Sequence, residues 1–183
     1  EIVGQIPPNL AECTVEKVAI NAVMAGCKPE YLPVVLAAVE AALDPKFAMH
    51  GVLCTTHFVG PILMVNGPIA KRIGMNSGVN ALGQGNRANS TIGRALQLVI
   101  RNVGGGRPGE IDRATLGNPG KVGLCFAEDE SNPIWKPLAQ ERGIESGKSA
   151  VTIYAGEGQM GNFDQASREP ESLTRSLGLS IRA

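Results

Sequence analysis

The chain has 183 residues, enough for one domain with a proper core or two small lobes, and 17 basic residues balance 17 acidic ones. That balance removes the general attraction that draws proteins to nucleic acid, and no run approaches the ~20 unbroken apolar residues of a membrane span. Aromatic residues make up only 4% of the chain and Gly numbers 23, so an aliphatic core and a closely packed backbone are expected. The opening residues carry no basic, apolar secretory signal, and a cytoplasmic protein is expected, with neither nucleic acid nor membrane as partner. The sequence lacks an initiator Met and stops inside a helical pattern, as a fragment or processed chain would.

Taken in order, Pro7-Pro8-Asn9 reads as an extended lead-in, and Thr14 caps a helix that carries Glu16 in its first turn and stops at Gly26. The next run, 30–43, is apolar on nearly every side, as in a helix buried between layers. Two strands are predicted over 51–56 and 61–65, and Asn66-Gly67-Pro68 resembles a helix start, a junction that often holds ligand. Residues 76–85 form a loop, after which Asn86 or Asn89 caps a strong helix through Ile92, Leu96, Val99 and Ile100, ending at Gly104-Gly105-Gly106.

A strand over 122–127, a short helix over 133–142 and a strand over 149–155 follow, and an amphipathic helix begins at Ser172. The alternation predicts an α/β fold, a layered mixed sheet with helices packed on it, in a single domain over 1–183. The tail, 156–183, is expected to dock on this domain or on one outside the sequence.

Charge placement is the first chemical signal. No acid stands between Asp44 and Glu110, yet the interval holds Lys46, Lys71, Arg72, Arg87, Arg94, Arg101 and Arg107. Unless acids from the later half fold over them, these cations create a positive potential suited to a carboxylate or phosphate, aided by helix N-terminal amides.

Within that interval, Asn86, Asn89, Ser90 and Thr91 set amides and hydroxyls beside unsatisfied backbone N–H groups, and Arg87 adds a planar cation. Ordinary helix capping accounts for one or two of these residues. Asn66 at its strand-to-helix junction and Asn76 and Ser77 in the loop complete the polar set assigned to the substrate. Gly83-Gln84-Gly85-Asn86-Arg87-Ala88 also matches the GxGxxA form of a dinucleotide-binding turn, but it lacks the preceding strand and the later acid that mechanism needs.

Cys54-Thr55-Thr56-His57 ends the first predicted strand. His57, one of two histidines, is the best general acid or base available, Thr55 and Thr56 beside it join the residues assigned to the substrate, and a structural His bonded to backbone is the competing reading. Glu128-Asp129-Glu130 follows a strand, where active-site carboxylates often stand, but reads chiefly as a solvated run. Cys13, Cys27, Cys54 and Cys125 are widely spaced without a CxxC pair and read as buried, reduced thiols. No metal-ligand set and no cofactor motif stands out.

The stretches Asn21-Ala22-Val23-Met24-Ala25-Gly26-Cys27-Lys28-Pro29-Glu30-Tyr31, Thr55-Thr56-His57, Val65-Asn66-Gly67-Pro68-Ile69-Ala70 and Asn86-Arg87-Ala88-Asn89-Ser90-Thr91-Ile92-Gly93-Arg94-Ala95 are similar to a bacterial family of large proteins without a well-established activity. These are associated with small thiol or selenol proteins of the UGSC type, and the likeness runs from about Thr14 to Arg142. The resemblance implies a longer chain and a small partner that supplies a reactive Cys or selenocysteine.

The expected function is therefore an enzyme domain or subunit, in a homo- or hetero-oligomer, that binds a small anionic substrate at the Asn86 helix start. Arg87 and His57 are the expected catalytic pair, and the reaction is thiol-linked lyase or reductive chemistry. A scaffold subunit packing its Gly-rich segment against a partner, and a nucleotide-binding domain, are the alternatives.

Overall fold

A computed structural model describes residues 1–182. It opens with a hairpin: β1 (Ile2–Ile6) pairs antiparallel with β2 (Ala11–Thr14), and Ile6 and Cys13 point into the core. Pro7-Pro8-Asn9, expected as an extended lead-in, instead forms part of the turn that joins the two strands. Only Ile6 is fully buried in β1, so local alternation gives little signal, and the partner strand decides the outcome.

The helix α1 (Val15–Ala25) starts where Thr14 Oγ1 accepts from Lys17 N and ends at Gly26, whose φ of 95° suits a residue without Cβ. A 3-10 turn at Pro29–Tyr31 then leads into α2 (Leu32–Leu43), which buries Val34, Val35, Ala38, Val39 and Ala42.

The strand predicted over 51–56 is instead a short helix, α3 (Met49–Leu53), followed by bends. Met49, Val52 and Leu53 are all buried, and their i, i+3, i+4 spacing gathers them on one helical face. A strand would have sent Val52 and Leu53 to opposite faces.

The next strand, β3 (Gly60–Asn66), is the centre of a three-stranded mixed sheet and is buried along nearly its whole length. It pairs in parallel with β4 (Leu124–Ala127), from Ile62 opposite Leu124 to Val65 opposite Ala127. On its other edge it pairs antiparallel with β5 (Ala150–Gly156), from Gly60 opposite Gly156 to Asn66 opposite Ala150. The architecture is α/β with a mixed sheet, and Asn66, the end of β4 and the start of β5 share one end of it.

Between β3 and β4 run α4 (Pro68–Arg72), α5 (Arg87–Asn102) and a single turn, α6 (Gly120–Gly123). The strong helix is α5, which buries Ala88, Ile92, Ala95, Leu96, Val99 and Ile100 along one stripe and packs against α1, α2, β4 and α6. Each fully buried Ile, Leu or Val contributes about 1.5–3 kcal/mol, so this stripe is a large share of the core.

Two glycines let α5 press onto the entry to β4. A Cβ on Gly93 would stand 3.0 Å from the Gly123 carbonyl carbon, and one on Gly123, whose φ is 144°, would stand 2.4 Å from Arg94 N. Backbone meets backbone at that crossing.

The helix predicted over 133–142 shrinks to α7 (Leu138–Glu141), because Pro137 forces Lys136 out of the helical region. The tail helix, α8 (Pro170–Arg182), begins two residues earlier than predicted. It buries none of its residues: Leu173 and Leu177 stay partly exposed and Ile181 largely so.

Candidate functional site

The amino end of α5 is built by asparagines. Asn86 Oδ1 accepts from Asn89 N at 3.0 Å, which makes Asn86 the cap, and its Nδ2 donates to Gly74 O at 2.7 Å. Asn89 is buried: its Oδ1 accepts from Asn76 N while its Nδ2 donates to the carbonyls of Asn76 and Ala81. Asn76 in turn ties down Gly78 and Val79, and Ser77 is half-buried in the same loop. These amides hold the loop 76–85 onto the helix, and most of their polar capacity is spent doing so.

Arg87 is exposed and donates through Nε to Gly26 O at 2.9 Å, which pins the carboxyl end of α1 to the start of α5. Thr91 donates back to Arg87 O at 2.8 Å. Neither side chain turns toward the loop.

Facing the loop, on the other flank of α5, is a cleft of about 490 Å³. Asn89, Ser90 and Arg94 line it from the helix, 81–83 from the loop and 119–125 from the approach to β4, with no acidic residue among its lining. Ser90 and Arg94 are four residues apart and therefore neighbours on one helix face. Both are exposed, and Arg94 has no carboxylate partner among the described residues.

The wider charge pattern persists in three dimensions. Of the seven cations between Asp44 and Glu110, only Arg107 forms an ion pair among the described residues, with Glu110 at 3.8 Å. The acids of the later half do not pair with the other six.

His57 belongs to a different neighbourhood. It follows α3 rather than ending a strand, stacks on Phe58 with ring centroids 5.2 Å apart, and its Nε2 lies 3.2 Å from Glu157 Oε1. Thr55 Oγ1 accepts from His57 N, and the Thr56 carbonyl accepts from Thr115 N and Oγ1. Because Gly60 pairs with Gly156, this group stands at the amino end of β3, away from the Asn66 end. Arg87 is held by Gly26 and His57 by Glu157, so different elements position the two expected catalytic residues.

Residues 78–82, ahead of the GxGxxA match, form turns and bends rather than a strand. The strand-to-helix turn that cradles a pyrophosphate is therefore missing at this place.

Asn66 has a role the sequence did not indicate. At 1% exposure it ends the central strand, and its Nδ2 donates to Glu128 Oε2 at 2.5 Å and to Glu130 Oε1 at 2.7 Å. Glu130 also accepts from Gly67 N, and Glu128 from Leu138 N, so the two acids are fixed, not a freely solvated run. Asn66 Oδ1 is buried without a donor, at a cost of about 1–3 kcal/mol for such an atom. Parallel pairing of β3 with β4 brings these residues together, which no local pattern in either strand reveals.

All four thiols are free. Cys13 and Cys125 are buried and Cys27 is half-buried, whereas Cys54, expected inside, is exposed as the residue ending α3. Burial pushes every one of them up from the ordinary thiol range, most strongly Cys125; a Thr91 hydrogen bond and Arg87 only partly offset this at Cys27, and Asp112 adds to it at Cys54. The chain therefore presents its own cysteines as thiols rather than thiolates at neutral pH.

No helix among the described residues is long and apolar enough to cross a membrane. Comparison with known proteins finds no matching family model, no matching curated protein and no matching solved structure.

Proposed function

We propose that this protein is a binding domain or subunit for a small anionic molecule, held in the cleft between the amino-terminal half of α5, the loop 76–85 and the entry to β4. The observation that carries this reading is the lining itself: Arg94, free of any carboxylate partner among the described residues, beside Ser90 and with no acid in the cleft. A guanidinium in that setting attracts a carboxylate or phosphate and fixes its orientation through paired N–H donors. Asn86, Asn89 and Asn76 serve the site by holding its loop wall, and Arg87 by fixing the helix start.

The chemistry that suits this arrangement is thiol-linked lyase or reductive chemistry in which the nucleophile comes from outside the chain. Cysteines held protonated are poor nucleophiles, so a thiol-bearing substrate or a small thiol or selenol protein supplies the reactive sulfur or selenium. His57, paired with Glu157, serves as acid or base only if a substrate or partner bridges from the cleft to that end of β3. Four free cysteines fit a reducing, cytoplasmic setting.

Ligand-induced thermal shifts with small carboxylates, phosphates and thiols test the reading. Wild-type protein is expected to be stabilised by at least one anion class, and Arg94→Ala to lose that shift; an undiminished shift in Arg94→Ala removes the site.

A second reading has its own observation. Val79 is 95% exposed and Leu82 42% exposed on the Gly-rich loop, as in a surface that packs against another chain. Light scattering on wild type and Val79→Asp decides it: a dimer split by Val79→Asp favours the scaffold, and a monomer in both favours the ligand site.

A further inference from the structure

We propose that the free edge of β5 pairs with the β5 of a second copy of this chain, antiparallel about a two-fold axis, joining two three-stranded sheets into one. The strand ends the order β4-β3-β5 and runs for 7 residues, whereas β4, at the opposite end, has 4 and packs against α5.

The direction of its backbone groups follows from the ladder. Val65 O accepts from Glu128 N, so the polar groups of Val65 face β4 and those of Met64, one residue earlier, face β5. Met64 stands opposite Thr152 and Ile62 opposite Tyr154, so Thr152 and Tyr154 spend their N–H and C=O groups on β3. Pro61, opposite Ala155, agrees, since it has no N–H to exchange across that pair. Val151, Ile153 and Ala155 therefore turn their backbone groups to the open edge, where no other backbone group of the described residues bonds to them.

Proteins commonly blunt such an edge with Pro, a charged side chain or a bulge. The stretch Ala150-Val151-Thr152-Ile153-Tyr154-Ala155-Gly156 has neither Pro nor charge, and its register with β3 is unbroken. There is room beside it: a cleft of about 520 Å³ is lined by every residue from Val151 to Ala155.

The spacing of the outward groups selects a second copy as the occupant. With Ile153 on the two-fold axis, Val151 of each copy meets Ala155 of the other, and every outward N–H and C=O finds its complement. Charge agrees, because Asp44, Lys46 and Arg142 line the same cleft without an ion pair among the described residues, and a second copy brings both signs in return. No β5 residue lines the α5 cleft, and Val79 lies outside the β5 cleft, so this dimer is independent of the anion reading and survives Val79→Asp.

An edge contact of this length is small for an interface, so a dissociation constant on the order of micromolar is expected, read by sedimentation over ~1–200 μM chain. Ala155→Pro removes an outward N–H at an exposed side chain and leaves the bonds to β3 intact, and it is expected to weaken the dimer about tenfold or more. Two double variants separate pairing from folding, because Thr152 of one copy faces Tyr154 of the other. Thr152→Lys with Tyr154→Lys sets like charges across the axis and is expected to give monomer, whereas Thr152→Lys with Tyr154→Glu sets opposite charges and restores the dimer. Circular dichroism verifies that each variant is folded. A wild type that stays monomeric over the whole range, or equal dissociation constants for the two double variants, overturns the proposal.

Discussion

Asn89 grips Asn76 by both backbone groups: its Oδ1 accepts from Asn76 N at 3.1 Å and its Nδ2 donates to Asn76 O at 2.8 Å. A buried side chain thus replaces the strand pairing that the loop 76–85 lacks. It also sets one wall of the cleft that Ser90 and Arg94 line from the helix.

Removing that grip has a predictable cost. Asn89→Ala leaves the Asn76 N–H and two carbonyls without their partner, and a loss of about 2–3 kcal/mol is expected from denaturant unfolding. Hydrogen exchange over 76–85 should rise far more than over α2, because Asn89 holds the loop and not the rest of the core. Equal loosening of both regions would show that Asn89 serves the core as a whole.

The crossing of α5 over the β4 entry gives a second expectation. Alanine normally stabilises an exposed helix interior by about 1 kcal/mol over glycine, but at Gly93 the added Cβ meets the backbone of Gly123 and Leu124 at 3.0 Å. Gly93→Ala is therefore expected to destabilise by about 1–3 kcal/mol, the usual penalty of overpacking, and Gly123→Ala by more, since its backbone also adopts a φ of 144°. A Tm raised by Gly93→Ala would contradict the close approach.

Cys125 makes stability depend on alkaline pH. Burial raises its pKa in the folded chain above the ordinary thiol value of 9.0, so the folded state retains a proton that the unfolded state releases. The stabilisation is fully present below pH 9.0 and declines as pH rises beyond it. Unfolding free energies measured from pH 8 upward are expected to fall more steeply in wild type than in Cys125→Ala. Identical slopes would mean that the Cys125 thiol is not shielded.

Much of the scaffold is legible in local pattern. Thr14 and Gly26 bracket α1, the stripe from Ala88 to Ile100 marks α5, and the unbroken apolar run 61–65 marks β3. The segment 51–56 misleads because a run of Val52, Leu53 and Cys54 satisfies both periods over so short a length, and packing of Met49, Val52 and Leu53 on one face settles it as helix.

Site geometry is less legible, for a physical reason. Arg94 stands out in sequence only as one cation of seven, and its cleft is closed by 119–125, a segment some thirty residues away. Glu128 and Glu130 look like a solvated run until the register of β3 with β4 brings them to Asn66. Conversely, the asparagines at the α5 start look like ligand donors but spend their bonds on the loop.

The central claim, an anion held by Arg94 in the α5 cleft, is tested most directly by calorimetric titration of inorganic phosphate and a small dicarboxylate into wild type, Arg94→Gln and Arg101→Gln. Arg101 lies on the same helix but outside the cleft lining, so it controls for net charge. Saturable binding of at least one anion to wild type and Arg101→Gln is expected, weakened about tenfold or more in Arg94→Gln by loss of a charge-assisted contact. Equal affinity in Arg94→Gln and Arg101→Gln would contradict it.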